Sequence, residues 1–198
     1  MADQYFSKFP DVKSDPKSWE YILNGYRFTF KTDNGVFSKN EVDFGSKTLI
    51  EAFELPEVRG PLLDLGCGYG PVGLALAKTY PERKIVGSDV NVRALHLAKQ
   101  NAKVNKVSNI RFVESDMLNS LQGERFAAIL TNPPIRAGKQ IVHEMFEQSS
   151  RSLQEGGELW VVIQKKQGAP SARKKLEELF SSVKVVSKNK GYFILRAK

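Results

Sequence analysis

Two short stretches of this 198-residue chain carry residue types that could do chemistry, and they stand about sixty residues apart. The first is Asp64-Leu65-Gly66-Cys67-Gly68-Tyr69-Gly70, an acid ending an apolar run and followed by glycines at alternate positions. Such glycines let a backbone turn tightly and approach a ligand with no side chain in the way. The second is Asn132-Pro133-Pro134, also at the end of an apolar run. The Asn132 side-chain oxygen and the Pro133 carbonyl are two acceptors held by fixed proline φ angles, and together they suit the hydrogens of a planar amino group. Two such bonds aim the nitrogen lone pair out of plane, toward an electrophile seated at the glycine loop. In isolation, Asn-Pro-Pro also serves simply to end a strand.

Two further acids close the next apolar runs. Asp89 lies 23 residues after Gly66, with Val90 beside it, where its carboxylate can accept both hydroxyls of a ribose. Asp116, within Ser115-Asp116-Met117, can accept an adenine amino hydrogen while Met117 lies against the ring. Each equally suits an N-cap for the helix after it. Pro71 stands where a dinucleotide loop would want a third glycine against a pyrophosphate, which disfavours a nicotinamide dehydrogenase. The pattern instead suits a cofactor with an uncharged linker and an amino-acid end, whose ammonium Asp64 would engage. Cys67 reads as a small residue fitting beneath that cofactor. Arg136 and Lys139 follow the amine seat and could hold a phosphate or simply be solvated helix-entry charges. His96 and His143 lack companions at metal-ligand spacing, so no metal site is expected.

The elements that must position these residues are legible as alternating periods. Apolar runs at Leu62 to Leu65, Ile85 to Ser88, Ile110 to Val113, Phe126 to Leu130 and Leu159 to Ile163 are separated by helical stretches. Residues 92–104 place Leu95, Ala98 and Ala102 on one face, and residues 139–153 do so with Val142, Met145, Phe146 and Leu153. Runs apolar at nearly every position are strands covered on both sides, which predicts a parallel, doubly wound α/β sheet. Ala172, Leu176, Leu179 and Phe180 form a further amphipathic helix. Val183 to Val186 and Tyr192 to Leu195, separated by Lys188-Asn189-Lys190-Gly191, read as a closing antiparallel hairpin. Upstream, Asn24-Gly25 between Tyr21-Ile22-Leu23 and Tyr26 to Phe30 predicts a hairpin with a type I′ turn. Asp43 or Ser46 would cap a helix bearing Leu49, Ile50 and Phe53. Residues 1–20, broken by Pro10 and Pro16, read as a loosely held arm. Residues 1–57 are thus an arm, hairpin and capping helix, and residues 58–198 form the α/β domain.

Composition narrows the class. With 41% hydrophobic residues the chain supports one α/β domain plus a small appendage. Asp3, Gln4 and Lys8 interrupt any apolar leader, no stretch approaches a membrane span, and the single cysteine excludes an internal disulfide, so a cytoplasmic protein is expected. Of the net +8, all lies in residues 165–198, which hold ten lysines and arginines against two glutamates. Such a focused charge attracts polyanions, RNA first among them, and Arg173, Lys174 and Lys175 are its densest cluster. The same cluster also suits a merely solvated helix.

Taken together, Asp64 to Gly70, Asp89, Asp116 and Asn132-Pro133-Pro134 resemble the motifs of class I S-adenosylmethionine-dependent methyltransferases, in particular the small-domain group that includes the rRNA guanine-N2 enzymes. Gly35-Val36-Phe37-Ser38 with Asp43-Phe44-Gly45-Ser46 is similar to the entry segment of the small-subunit enzymes of that group. The resemblance implies a Rossmann-like, seven-stranded, mostly parallel sheet with an antiparallel C-terminal hairpin and a small N-terminal hairpin and helix cap. It implies the methionine part of S-adenosylmethionine on Gly66, Cys67, Gly68 and Gly70, ribose on Asp89, adenine near Asp116 and the target amine on Asn132. Many members follow the prolines with an aromatic that stacks on the base, whereas this chain has Ile135, and Phe37 is the candidate substitute. Several also carry a degenerate second copy of the domain. This chain has one, so a monomer or homodimer is expected. The expected reaction is methyl transfer to an exocyclic amine of RNA, guanine N2 of 16S rRNA, on free RNA or a 30S particle. The same seat would suit a protein glutamine amide, and an RNA-binding module that no longer catalyses is the reading from another class.

Overall fold

In the computed structural model, which describes residues 7–198, the seven strands β3(Leu62–Leu65), β4(Ile85–Asp89), β5(Ile110–Glu114), β6(Phe126–Thr131), β7(Leu153–Gln164), β8(Val183–Asn189) and β9(Tyr192–Ala197) form one sheet. Residues 1–6, including Asp3 and Gln4, lie outside the described residues. The sheet order is β5-β4-β3-β6-β7-β9-β8, parallel except where β9 runs antiparallel between β7 and β8. Alternate residues feed two cores. Trp160 and Val162 of β7 pack with α1(Phe44–Ala52), α2(Pro71–Thr79) and α3(Val92–Val104), whereas Leu159, Val161 and Ile163 pack with α4(Lys139–Ser152) and α5(Ala169–Leu179). Both sheet faces are therefore covered, the condition under which strands are apolar throughout. The chain leaves β3 toward β4 and β5, then returns to lay β6 on the other side of β3. That reversal opens a crevice at the carboxyl ends of β3 and β6, the place where open α/β sheets bind ligands.

The boundaries of β3, β4, β5 and β6 agree with the apolar runs to within a residue, β8 and β9 run three and two residues beyond theirs, and β7 starts directly out of α4 at Leu153 and bulges against β6 between Phe126 and Ala128. Gly156, at φ 73°, lies within that irregular stretch, so no apolar alternation marked its start. The final hairpin turns on Lys190 and Gly191, both at positive φ, and is tighter than the four-residue connection expected from the sequence.

The N-terminal hairpin, β1(Lys17–Leu23) and β2(Tyr26–Thr32), turns on Asn24 and Gly25, both at positive φ as a type I′ turn requires. Its far edge is held in an unusual way. Asn101 of α3 and Asn105, one turn further at its C-cap, pair with β2 much as a strand would. Lys31 N donates to Asn101 Oδ1 at 2.7 Å and Asn101 Nδ2 donates back to Lys31 O at 3.0 Å. Thr29 N and Thr29 O are matched by Asn105 at 2.9 and 2.8 Å. Asn101 Nδ2 also reaches Tyr69 O in the glycine loop at 3.0 Å. Edge amides that would otherwise stay open are thereby satisfied.

The expectation of a loosely held arm is corrected for residues 7–20. Val92 N donates to Lys8 O, the Arg93 guanidinium donates to Val12 O and Asn34 O, and Asp33 accepts from Ser14 Oγ at 2.7 Å and Asp15 N at 2.6 Å. Two prolines stop a helix but do not prevent long-range polar contacts from fixing an irregular segment. Trp19, in β1, packs on Phe30 and Tyr69 and donates its indole N–H to Thr32 Oγ1.

Replacing Asn101 with Ala leaves the Lys31 amide and two carbonyls without their partner at a fully buried position. Urea unfolding is expected to show a loss of about 2–4 kcal/mol, the range for several orphaned buried polar groups. A loss below about 0.5 kcal/mol would contradict the role given to this seam.

Candidate functional site

The carboxyl ends of β3, β4, β5 and β6 surround one cavity of about 440 Å³, within the range of small-molecule sites. Its floor is the glycine loop. Gly66 N and Cys67 N both donate to Ser88 O, at 2.8 and 2.9 Å, which bends the chain back over β4. Gly66 and Gly68 sit at φ 77° and 55°, and a Cβ built on either would meet nothing within 4 Å. The backbone here needs glycine for its conformation and presents a surface free of side chains to open space.

Each acid around the loop does structural work as well as facing the cavity. Asp89 accepts from Gly68 N and Asn91 N, both at 2.8 Å, which locks the loop to β4 and to the start of α3. Burial pushes its carboxyl above the ordinary range, against the pull of these amides. Asp64 is enclosed more fully. Gly70 heads α2 without a side-chain cap, and Asp64 Oδ2 supplies the missing acceptor to Gly73 N at 2.8 Å. Burial raises the Asp64 carboxyl to about 7, the Gly73 amide opposes this, and the nearby Asp89 charge adds to it. Cys67 is buried and its thiol is pushed far up by burial, which removes it as a nucleophile.

At the fourth strand end the geometry answers a question that the motif alone left open. Asn132 Nδ2 donates to Asp43 Oδ2 at 2.9 Å and to Ser46 Oγ at 3.0 Å, from the first turn of α1. A carboxylate only accepts, so the amide nitrogen must face Asp43 and the amide oxygen is left as an acceptor in the cavity that Asn132 lines. Asp43 is fixed in turn as the N-cap of α1, accepting from Ser46 N at 3.0 Å. The Pro133 carbonyl already accepts from Ile135 N at 2.9 Å and retains one lone pair. The cap closes over the site through Tyr69, whose hydroxyl donates to Glu41 O at 3.2 Å and Ser38 O at 3.4 Å, with Phe37 at the rim.

Of the residues singled out in the sequence, Asp64, Gly66, Cys67, Gly68, Asp89, Val90, Asp116, Met117, Asn132, Pro133, Pro134 and Phe37 line this one cavity. Four do not. Gly70 caps α2, Ile135 packs into the core beneath the sheet, and Arg136 and Lys139 are exposed on a 3₁₀ turn and at the start of α4. Asp43 and Ser46 were legible as helix caps and as part of a family-like entry segment but not as partners of Asn132, because that link crosses 89 and 86 residues. The apolar Ile141 and Met145 of α4 complete the wall. Ser88 Oγ, also in the wall, is buried without a hydrogen-bond partner among the described residues. A loop free of side chains, the carboxylates of Asp64, Asp89 and Asp116 and apolar walls suit a cofactor that is cationic at one end and carries hydroxyls and an aromatic ring at the other. Among the described residues no three His, Cys, Asp or Glu side chains gather as metal ligands, and no helix is long and apolar enough to cross a membrane.

The family model for the methyltransferase small domain matches residues 27–196. A Bacillus subtilis (strain 168) protein, uncharacterized protein YbxB, is 54% identical over 199 residues, covering 100% of this chain and 99% of its own length. The ribosomal RNA large subunit methyltransferase G of Klebsiella pneumoniae is 28% identical over 95% of this chain and 51% of that protein. Among solved structures, the T. thermophilus 16S rRNA N2 methyltransferase RsmC, in complex with AdoMet and guanosine, superposes with a TM-score of 0.82 at 27% identity, over 96% of this chain and 52% of that one. The chain thus spans about half the length of the rRNA methyltransferases it matches.

Asp64 sets a pH dependence whose sign is fixed. Burial holds its folded-state pKa at about 7, above the ordinary carboxylate value of the unfolded chain, so the stability it contributes is complete below that ordinary value and is lost as pH rises through 7. Subtracting the unfolding free energy of Asp64→Asn from that of the wild type should give a difference that falls by about 2–4 kcal/mol between pH 4 and pH 7.5. A flat difference would return Asp64 to an ordinary ionised carboxylate.

Proposed function

The chain belongs to the methyltransferase small-domain family, and from that premise we propose that it transfers a methyl group from S-adenosylmethionine to an exocyclic amine of ribosomal RNA, the N2 of a guanine in 16S rRNA. The observation that carries the reading is the orientation of Asn132, whose side-chain oxygen faces the cavity because Asp43 and Ser46 occupy its nitrogen. The activities of RsmC and of methyltransferase G support rRNA as the substrate, and the guanosine bound to RsmC supports guanine.

S-adenosylmethionine is the cofactor, and it supplies a methyl group carried on a positively charged sulfur. The glycine loop and Asp64 would hold its amino-acid end, Asp89 its ribose, and Asp116, Met117 and Val90 its adenine. Asn132 Oδ1 and the free lone pair of the Pro133 carbonyl accept the two hydrogens of the target amine, which fixes the amine plane and turns its lone pair into the cavity. As the nitrogen loses electron density, both oxygens stabilise the positive charge that develops on it, and being held beforehand they need no reorganisation. Phe37, 40% exposed at the rim, stacks on the extruded guanine in place of an aromatic at Ile135. Arg136 and Lys139 sit just beyond, placed for the flanking phosphate. The setting is the cytoplasm.

Incubation with labelled S-adenosylmethionine and rRNA from a strain lacking this protein should yield N2-methylguanosine in 16S rRNA. Asn132→Ala is expected to lower turnover on the order of 10²–10³-fold, the loss typical of one charge-stabilising group, with cofactor affinity unchanged. Full turnover in that variant, or label found only in protein, would overturn the reading. Asp43→Asn is a separate test, because a second amide there can donate and lets Asn132 reverse. Turnover should fall roughly 10-fold or more while S-adenosylmethionine affinity and α1 helicity persist. Unchanged turnover would mean that Asp43 does not set the amide.

A further inference from the structure

The basic residues that crowd the end of the sequence do not form one surface. Arg173 is paired to Glu177 at 2.7 Å and Lys175 to Glu147 at 2.6 Å, on the outer faces of α4 and α5. Arg196 is paired to Glu54, and Lys184, its register partner across β8 and β9, lies at the amino edge of the sheet away from the cavity. Lys174 is exposed on α5, and Lys198 lies 4.0 Å from the Glu158 carboxylate at the amino edge. The other four are lysines, and topology brings all four to the cavity edge. β7 is level with the end of β6 at Val161 and runs three residues further, about 10 Å, to Gln164. Lys165 and Lys166 follow. Gln164 is the register partner of Tyr192, and Lys165 N donates to Gly191 O at 2.8 Å, which sets the β8–β9 turn with Lys188 and Lys190 beside them. Lys190 Nζ lies 5.0 Å above the Phe44 ring, next to the Asp43 that orients Asn132. All four are exposed, and among the described residues none has a carboxylate within ion-pair distance.

We infer that Lys165, Lys166, Lys188 and Lys190 form the track for the phosphodiester backbone of the substrate RNA, continuing outward from Arg136 and Lys139. This rests on the proposed methyl transfer to RNA and names how the RNA approaches it. The argument is one of polarity along a single sheet edge. The β3, β4 and β5 ends carry Asp64, Asp89 and Asp116, which attract a cationic cofactor, and Glu114 there is already paired to Lys8 at 2.5 Å. The β7 end and the β8–β9 turn carry only lysines in these positions. The track crosses the β6, β7, β9 and β8 positions, three strand spacings or roughly 14 Å. Such a row repels the cofactor, concentrates a polyanion and releases its counterions, while the flipped base alone enters the acidic end.

The test compares two variants of equal charge change. One replaces Lys165, Lys166, Lys188 and Lys190 with Gln. The other replaces the exposed Lys99, Lys103, Lys174 and Lys184. Affinity for purified 16S and 23S rRNA is measured against salt concentration, beside S-adenosylmethionine affinity and methyl transfer. The first variant should lose about 3 from the log–log salt slope, near 0.7–0.9 per phosphate contact, and raise the RNA KM on the order of 10²-fold, with cofactor affinity unchanged. The second should keep most of the slope. Equal losses in both variants, or an unchanged slope in the first while the wild type methylates rRNA, would overturn the track alone. A wild type that binds rRNA through these lysines yet methylates none would overturn the proposed activity and leave the track standing. Absence of any rRNA binding would overturn both.

Discussion

The chemistry of the cavity depends on which end of one amide faces into it. An asparagine can present either a donor or an acceptor, and the two are nearly identical in size, so packing does not choose between them. Here the choice is electrostatic. The Asp43 carboxylate has nothing to donate, so it takes the nitrogen of Asn132 and leaves the oxygen for a ligand. The same carboxylate closes the first turn of α1. Forming the helix and aiming the amide are therefore a single event, and the N-terminal cap is part of the site although it contributes few of the atoms that would touch a ligand.

The acids on the opposite side follow a related logic. Asp89 and Asp64 are held by backbone amides of the loop and helix they border, so their positions are set by the main chain before anything binds. Burial makes both reluctant to ionise. A cation arriving in the cavity relieves that reluctance, so the desolvated carboxylates favour a positively charged ligand over a neutral one of the same shape.

How much of this was legible in the sequence follows from the range of each interaction. Leu62 to Leu65 and Phe126 to Leu130 were readable as buried parallel strands because burial on both faces writes itself into consecutive residues. Asp64, Asp89, Asp116 and Asn132 were readable because each closes a strand, and strand ends of one sheet share an edge. The start of β7 was not readable, since it emerges from a helix through glycines with no alternation. Nor were Asn91, Arg93, Asn101 and Asn105, which look like ordinary polar positions on α3 yet bind backbone 56 to 81 residues away. The lysine-rich tail was readable as charge but not as place, because only the register of β7, β9 and β8 sorts its members onto opposite edges.

The asparagine seam also bears on inheritance. Because β2 borrows its outer hydrogen bonds from α3, the first fifty residues are not a detachable module that could be exchanged among relatives like a domain on a linker. A graft of that segment from a cousin would meet foreign side chains where its main chain needs paired amides, and it would dock poorly unless the matching helix came with it. Hairpin and helix are then constrained to diverge as one unit, and through Asn91, which donates to Gly35 O and borders Asp89, that unit reaches the wall of the cavity.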